Sequence, residues 1–200
     1  MNRLNALEKL KTTVVNDFFK QNEKEIFKIL ESKETAFQMI FQMEILTDQI
    51  KKRQKENPEY NIKHFQFSYL RTGIKEYKIK IFLQGLNEKW YLDEAGLSTV
   101  FYLKTCEELL QRCHKQIDRW YRQETFKFEF FDLDNVLMDV ASHLAILSFM
   151  SFKTHLDMGN IQLDCLKEID LDPDFEIRAG EYQGEDSTLF KLSESDGEDL

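Results

Sequence analysis

Cys106, Cys113 and His114 are the residues best suited by type to hold a soft metal, since thiolate and imidazole are the usual ligands of zinc. Their spacing points elsewhere. Cys106, Leu110, Cys113, Ile117 and Trp120 recur at steps of four, three, four and three, which is one face of a helix. Both cysteines are therefore expected to pack on that face as small hydrophobes. His114 falls one residue round the helix, and no Cys-x-x-Cys or His-x-x-x-His pair completes a tetrahedral set. His143 and His155 also lack metal spacing and are expected as buried or boundary histidines. No Gly-rich phosphate loop, nucleophile elbow or Glu-x-x-His carboxylate motif occurs. Neither a metal nor a cofactor is expected, and three cysteines do not read as a disulfide framework.

Two acidic runs carry more chemistry. Phe131-Asp132-Leu133-Asp134-Asn135-Val136-Leu137 resembles the first motif of the haloacid-dehalogenase-like phosphohydrolases, Asp-x-Asp-x-Thr/Val after a strand. The resemblance implies Asp132 as a nucleophile at phosphorus and Asp134 as the acid/base for the leaving group, with Mg²⁺ neutralising charge. Asp and Asn directly before an apolar run are also ordinary helix N-caps, and that is the expectation here. The second run, Asp170 to Glu181, resembles the EF-hand calcium loop, with acids at its positions 1, 3, 5 and 12 and Ile177 at 8. Phe175 stands where that loop turns on a glycine, and Pro173 interrupts it, so an acidic linker is expected.

A basic surface is the remaining candidate. Phe65, Phe67 and Tyr69 alternate with His64, Gln66 and Ser68, and Tyr77, Ile79 and Ile81 alternate with Lys78 and Lys80. On a half-buried hairpin, Lys78, Lys80 and His64 would point outward beside Gln66 and Ser68, with Arg71 and Lys75 near the turn. Such a face suits RNA or an acidic partner, and it is also ordinary wet surface. Burying the odd-numbered residues of both strands requires paired positions to sum to an even number. A three-residue Arg71-Thr72-Gly73 loop satisfies this by pairing residue 70 with 74, with Gly73 in the left-handed position.

These residues need elements to hold them. Leu4, Leu7, Leu10, Val14 and Phe18 predict an N-terminal helix, with a break near Asn22. Phe37, Ile40, Phe41, Met43 and Ile50 predict a second from about Glu34 to Lys55. It ends in Lys51, Lys52, Arg53 and Lys55 before Pro58, as the helix dipole favours. Lys89 to Asp93 and Ser98 to Leu103 read as two further strands of an antiparallel meander of about four. Thr105 with Glu108 reads as a capping box for the cysteine-bearing helix. Phe126, Phe128 and Phe130 suggest a short strand. Val136 to His155, apolar nearly all round, predicts a central buried helix, too short and too polar to span a bilayer. A short helix over Ile161 to Ile169 and a short strand over Phe175 to Ile177 follow.

The charge is uneven. From Asp157 onward there are 14 acidic and three basic residues, a net of −11, so about +2 of the chain's −9 falls on residues 1–156. The fold class expected is α+β: an N-terminal helical pair, the meander sheet packed by two later helices, and an acidic C-terminal tail. Residues 1–157 form the domain, 158–180 a short extension, and 181–200 an acidic tail, disordered over its last 15 or so residues. No signal-peptide h-region is present, so the expected compartment is the cytoplasm. No catalytic constellation assembles. The function expected is non-enzymatic binding or regulation through another protein, with no membrane, and with nucleic-acid binding or a phosphohydrolase using Asp132 and Asp134 as the alternatives.

Overall fold

The computed structural model describes residues 8–89, 96–123 and 130–192. Helices make up 59% of the chain and pack on a five-stranded mixed sheet, an α+β fold. A π-helical stretch at Leu10–Val15 runs into α1 (Asn16–Gln21), and the break falls at Asn22, before α2 (Glu23–Glu31). The Ser32 hydroxyl caps α3 (Lys33–Glu56) by accepting from the Glu34 amide at 3.2 Å. Leu4 and Leu7 of the predicted first stripe lie outside the described residues.

Strand β1 (Ile62–Leu70) pairs antiparallel with β2 (Lys80–Leu86), which pairs antiparallel with β3 (Leu97–Tyr102). Paired positions sum to even numbers, as burial of the odd-numbered residues requires: Phe67 faces Leu83 and Leu70 faces Lys80. The short loop does not. Residues 71–79 connect the strands through a 3-10 helix, Arg71–Glu76, and the left-handed residue is Tyr77 (φ 56°) rather than Gly73. The longer path lets Ile74 and Ile79 bury their side chains. Gly73 is needed for close approach: a Cβ there would lie 2.6 Å from the Lys78 carbonyl oxygen. The expected strand at Lys89 to Asp93 lies mostly outside the described residues, as does most of the one at Phe126 to Phe130.

Helix α4 (Glu107–Gln123) follows a short 3-10 turn, Lys104–Cys106. Its stripe is as the spacing predicts: Cys106, Leu110, Cys113 and Ile117 are all buried. Helix α5 (Phe130–Asp157) begins earlier than expected, so Asp132 to Asn135 lie inside the helix and not ahead of it. By length and composition α5 could cross a membrane, contrary to the expectation of too short a run, but 56% of its most apolar window is buried within the fold. It is not buried all round, since Ile146 and Met150 stay exposed.

The largest departure follows α5. After a 3-10 turn at Asp164–Glu168, β4 (Leu171–Glu181) runs parallel to β1, and β5 (Asp186–Lys191) returns antiparallel to β4. The sheet order is β3-β2-β1-β4-β5. The expected short helix over Ile161 to Ile169 holds the 3-10 turn and the expected short strand over Phe175 to Ile177 lies inside β4, but strand also runs on into the expected tail, and residues 193–200 lie outside the described residues. The alternation Phe175, Ile177, Ala179 sends three side chains into the core, Phe175 meeting Phe65 edge-on at 5.5 Å. That burial offsets the acidity of the segment.

Helices α3 and α5 lie on the same face of the sheet. The Gly85 position touches Ile50 and Leu46 of α3, while Phe67 meets Phe149 and Phe152 of α5. Ser151 of α5 donates to the Leu30 carbonyl at 3.0 Å, tying α5 to the end of α2.

Candidate functional site

The sheet order decides what becomes of the polar residues on β1. As the central strand, β1 has neighbours on both sides, and Gln66 lies between Gln84 and Arg178 in the cross-strand row. Gln66 and Ser68 are fully buried and His64 nearly so. The expected wet hairpin face is corrected accordingly: β1 is no edge of a two-stranded hairpin, and side chains of both β2 and β4 flank its polar row. Burial pushes the His64 imidazole from the ordinary 6.5 down to about 4. Two of the cations expected on that face are engaged. Arg71 pairs with Glu181, and the Lys78 ammonium sits 5.0 Å over the Tyr102 ring.

The calcium-loop resemblance is also overturned in geometry. Residues 171–181 are an extended strand, which carries Glu181, position 12 of the loop, to its far end beside Tyr69 and Arg71, away from Asp170, Asp172 and Asp174, so the set cannot close around one ion. Glu176 takes Arg178 (3.3 Å), Lys191 (3.5 Å) and the Thr188 hydroxyl (3.4 Å), and Arg178 also donates to Asp186 at 3.1 Å. These contacts tie β5 to β4. Among the described residues, no group of three or more His, Cys, Asp or Glu side chains is placed to hold a metal.

The thiols are set by burial. Cys113 is pushed up to about 12 and Cys165 to about 11, and Cys106, within 3.5 Å of the Ser148 hydroxyl, is raised as well. Thiols so protonated are poor nucleophiles and poor ligands. His114 packs at a tilt of 48° against Tyr77 (ring centres 4.5 Å) with its Nε2 3.3 Å from the phenol oxygen. It shares a cleft of ≈ 190 Å³ with Asp118, Tyr121 and Asp134. Asp134 is thus carried by a helix, where the phosphohydrolase motif sits at the end of a strand. His143 is exposed, and His155 is buried beside Asn160 at 3.3 Å.

A groove lies where α5 stops covering the sheet. It has a volume of ≈ 690 Å³ between α5 and the β4–β5 hairpin. Ile146, Phe149 and Met150 form its apolar wall, with Ile146 47% and Met150 55% exposed. At its inner end the Tyr69 hydroxyl donates to Glu181 at 3.2 Å, while Arg71 holds the other carboxylate oxygen. Burial raises the Tyr69 phenol, which keeps it a donor. The outer rim carries Glu185 and Asp186. Lys153 spans the groove, giving its ammonium to the Leu189 carbonyl at 3.1 Å and to Asp157 at 3.4 Å.

Sequence reasoning missed this groove. Tyr69 read as a core strand residue and Ile146 and Met150 as members of a buried helix. Its far wall is a hairpin read as extension and tail. The only signal was that a helix apolar all round needs cover all round.

No protein-family model matches the chain, and no curated protein or solved structure matches it.

Proposed function

We propose that this chain is a non-enzymatic binding and regulatory protein that acts through contacts with another protein, and that the groove between α5 and the β4–β5 hairpin receives the partner. The observation that carries this reading is the pair Ile146 and Met150, two large apolar side chains exposed along a groove whose inner end is polar and prearranged. The groove's size suits a few side chains of a peptide segment. Glu185, exposed on the rim, favours a basic residue beside the apolar ones. Simple strand addition at the edge is disfavoured: Lys153 occupies the Leu189 carbonyl, and β5 shifts register opposite Ile177/Arg178.

Protein is favoured over nucleic acid because Arg71 is paired with a carboxylate and the groove rim is acidic. A peptide-display library selected on the immobilised full chain tests the reading. Sequences pairing a large apolar residue with Lys or Arg are expected to be enriched. Their affinity should fall about tenfold or more in Ile146→Glu and in Met150→Glu. Equal enrichment on wild type and on these variants, with melting temperatures unchanged, would sink the proposal.

A further inference from the structure

Helix α3 is apolar on two faces. Its inner face is made by Ala36, Met39, Met43, Leu46 and Ile50, all fully buried. Its outer face carries Phe37, Phe41 and Ile45, exposed by 54%, 57% and 36%. Steps of four residues keep these three within an arc of about 80° on a helix of 3.6 residues per turn. Two phenylalanines and an isoleucine in one exposed line exceed the scattered apolar residues of an ordinary surface.

The same arc is charged with opposite sign at its two ends. Glu34 lies on it one turn before Phe37, and Lys52 lies two turns after Ile45, both exposed. Exposed Glu44 and Asp48 also lie on or beside this arc, and the face is complementary to itself when reversed in a register that sets them against the uncharged Gln42 and Gln38. Set antiparallel about Met43, Phe41 meets Ile45 of a second copy, and Glu34 meets Lys52 of that copy. Two-fold symmetry repeats each contact, and the antiparallel helix dipoles attract. The alternative register about Phe41 would set Glu34 against Asp48, like against like, and is disfavoured.

We propose that the outer face of α3 is a self-association surface, on which a second copy of this chain docks antiparallel through Phe41 and Ile45, with Glu34 paired to Lys52 across the two-fold axis. This surface shares no residue with the groove beside α5, so a dimer leaves both grooves lined as they are.

Sedimentation velocity of the full chain from about 1 to about 500 µM tests this. The weight-average mass is expected to rise from 23.9 kDa towards twice that value. Phe41→Asp, at an exposed position, is expected to stay monomeric with an unchanged melting temperature. Glu34→Lys is expected to weaken association by about tenfold, and Glu34→Lys combined with Lys52→Glu to restore it, because the swap re-creates the pair. A wild-type chain that stays at monomer mass overturns the proposal. A dimer that persists through Phe41→Asp does the same, as does a double variant no stronger than Glu34→Lys alone.

Discussion

Gln54 holds both backbone polar groups of Asp170, its N–H and its C=O, with the two ends of one side-chain amide. The Gln54 side-chain nitrogen donates to the Asp170 carbonyl at 2.8 Å, and its oxygen accepts from the Asp170 amide at 3.0 Å. The same nitrogen donates to the Tyr60 carbonyl at 2.8 Å. A single side chain at the end of α3 thereby fixes the starts of both β1 and β4, the strands that must meet in parallel.

Gln54→Leu keeps the bulk and removes all three bonds. Backbone groups that Gln54 satisfied lose their partner, at a cost of about 1–3 kcal/mol for a buried group left unmade. Urea unfolding is expected to show a loss of about 2–4 kcal/mol. Amide exchange should rise first at the start of β4. A loss under about 0.5 kcal/mol would show that the parallel pairing does not depend on this clamp.

Gln66 presents the reverse situation. Its amide is buried at the centre of the sheet, and neither polar atom has a hydrogen-bond partner among the described residues. Replacing a buried, unsatisfied amide by an apolar group of similar shape is stabilising. Gln66→Met is expected to raise stability by roughly 1 kcal/mol and the melting temperature by about 2–4 °C. A destabilised variant in thermal melting would show that the amide is engaged.

His64 makes stability depend on pH. Desolvation lowers its folded pKa to about 4, with Glu176 and Asp172 acting upward and Arg178 and Lys63 downward. Between about pH 4 and 6.5 the unfolded chain takes up a proton there that the folded protein refuses. The contribution is therefore complete above about pH 6.5 and lost as pH falls towards 4, on the order of 2–3 kcal/mol in all. His64→Gln should flatten the difference between unfolding free energies measured at pH 7 and pH 4.5. An unchanged slope would mean that the carboxylates alone set the acid limit.

The helices were legible because apolar spacing is local, although Phe37 and Phe41 of α3 and Ile146 and Met150 of α5 turn outward. Cys106, Leu110, Cys113 and Ile117 give α4, and Met43 and Ile50, with Pro58 beyond, give α3. The parity of β1 and β2 was legible for the same reason, since alternation needs no partner to be read. The place of β1 in the sheet was not. Its second neighbour begins about a hundred residues later, in a segment where Phe175, Ile177 and Ala179 alternate with Glu176 and Arg178. Those charges are neutralised by Asp186 and Lys191, further on again. Local composition therefore described an acidic extension where long-range pairing builds two strands. The groove inherited the same blindness, because one of its walls is that hairpin.

The parallel pairing of β1 with β4 also has a temporal meaning. As the chain is synthesised, β1 can pair with β2 early, but its other edge must wait for residues 171–181. At roughly 5–20 residues per second that interval is about 5–20 seconds. Throughout it, a strand bearing Phe65, Phe67 and Tyr69 offers an open edge beside apolar side chains to whatever is near the ribosome. The interval before β4 is made is thus the strand's most vulnerable period, and a chaperone's demand on it falls before residues 171–181 emerge.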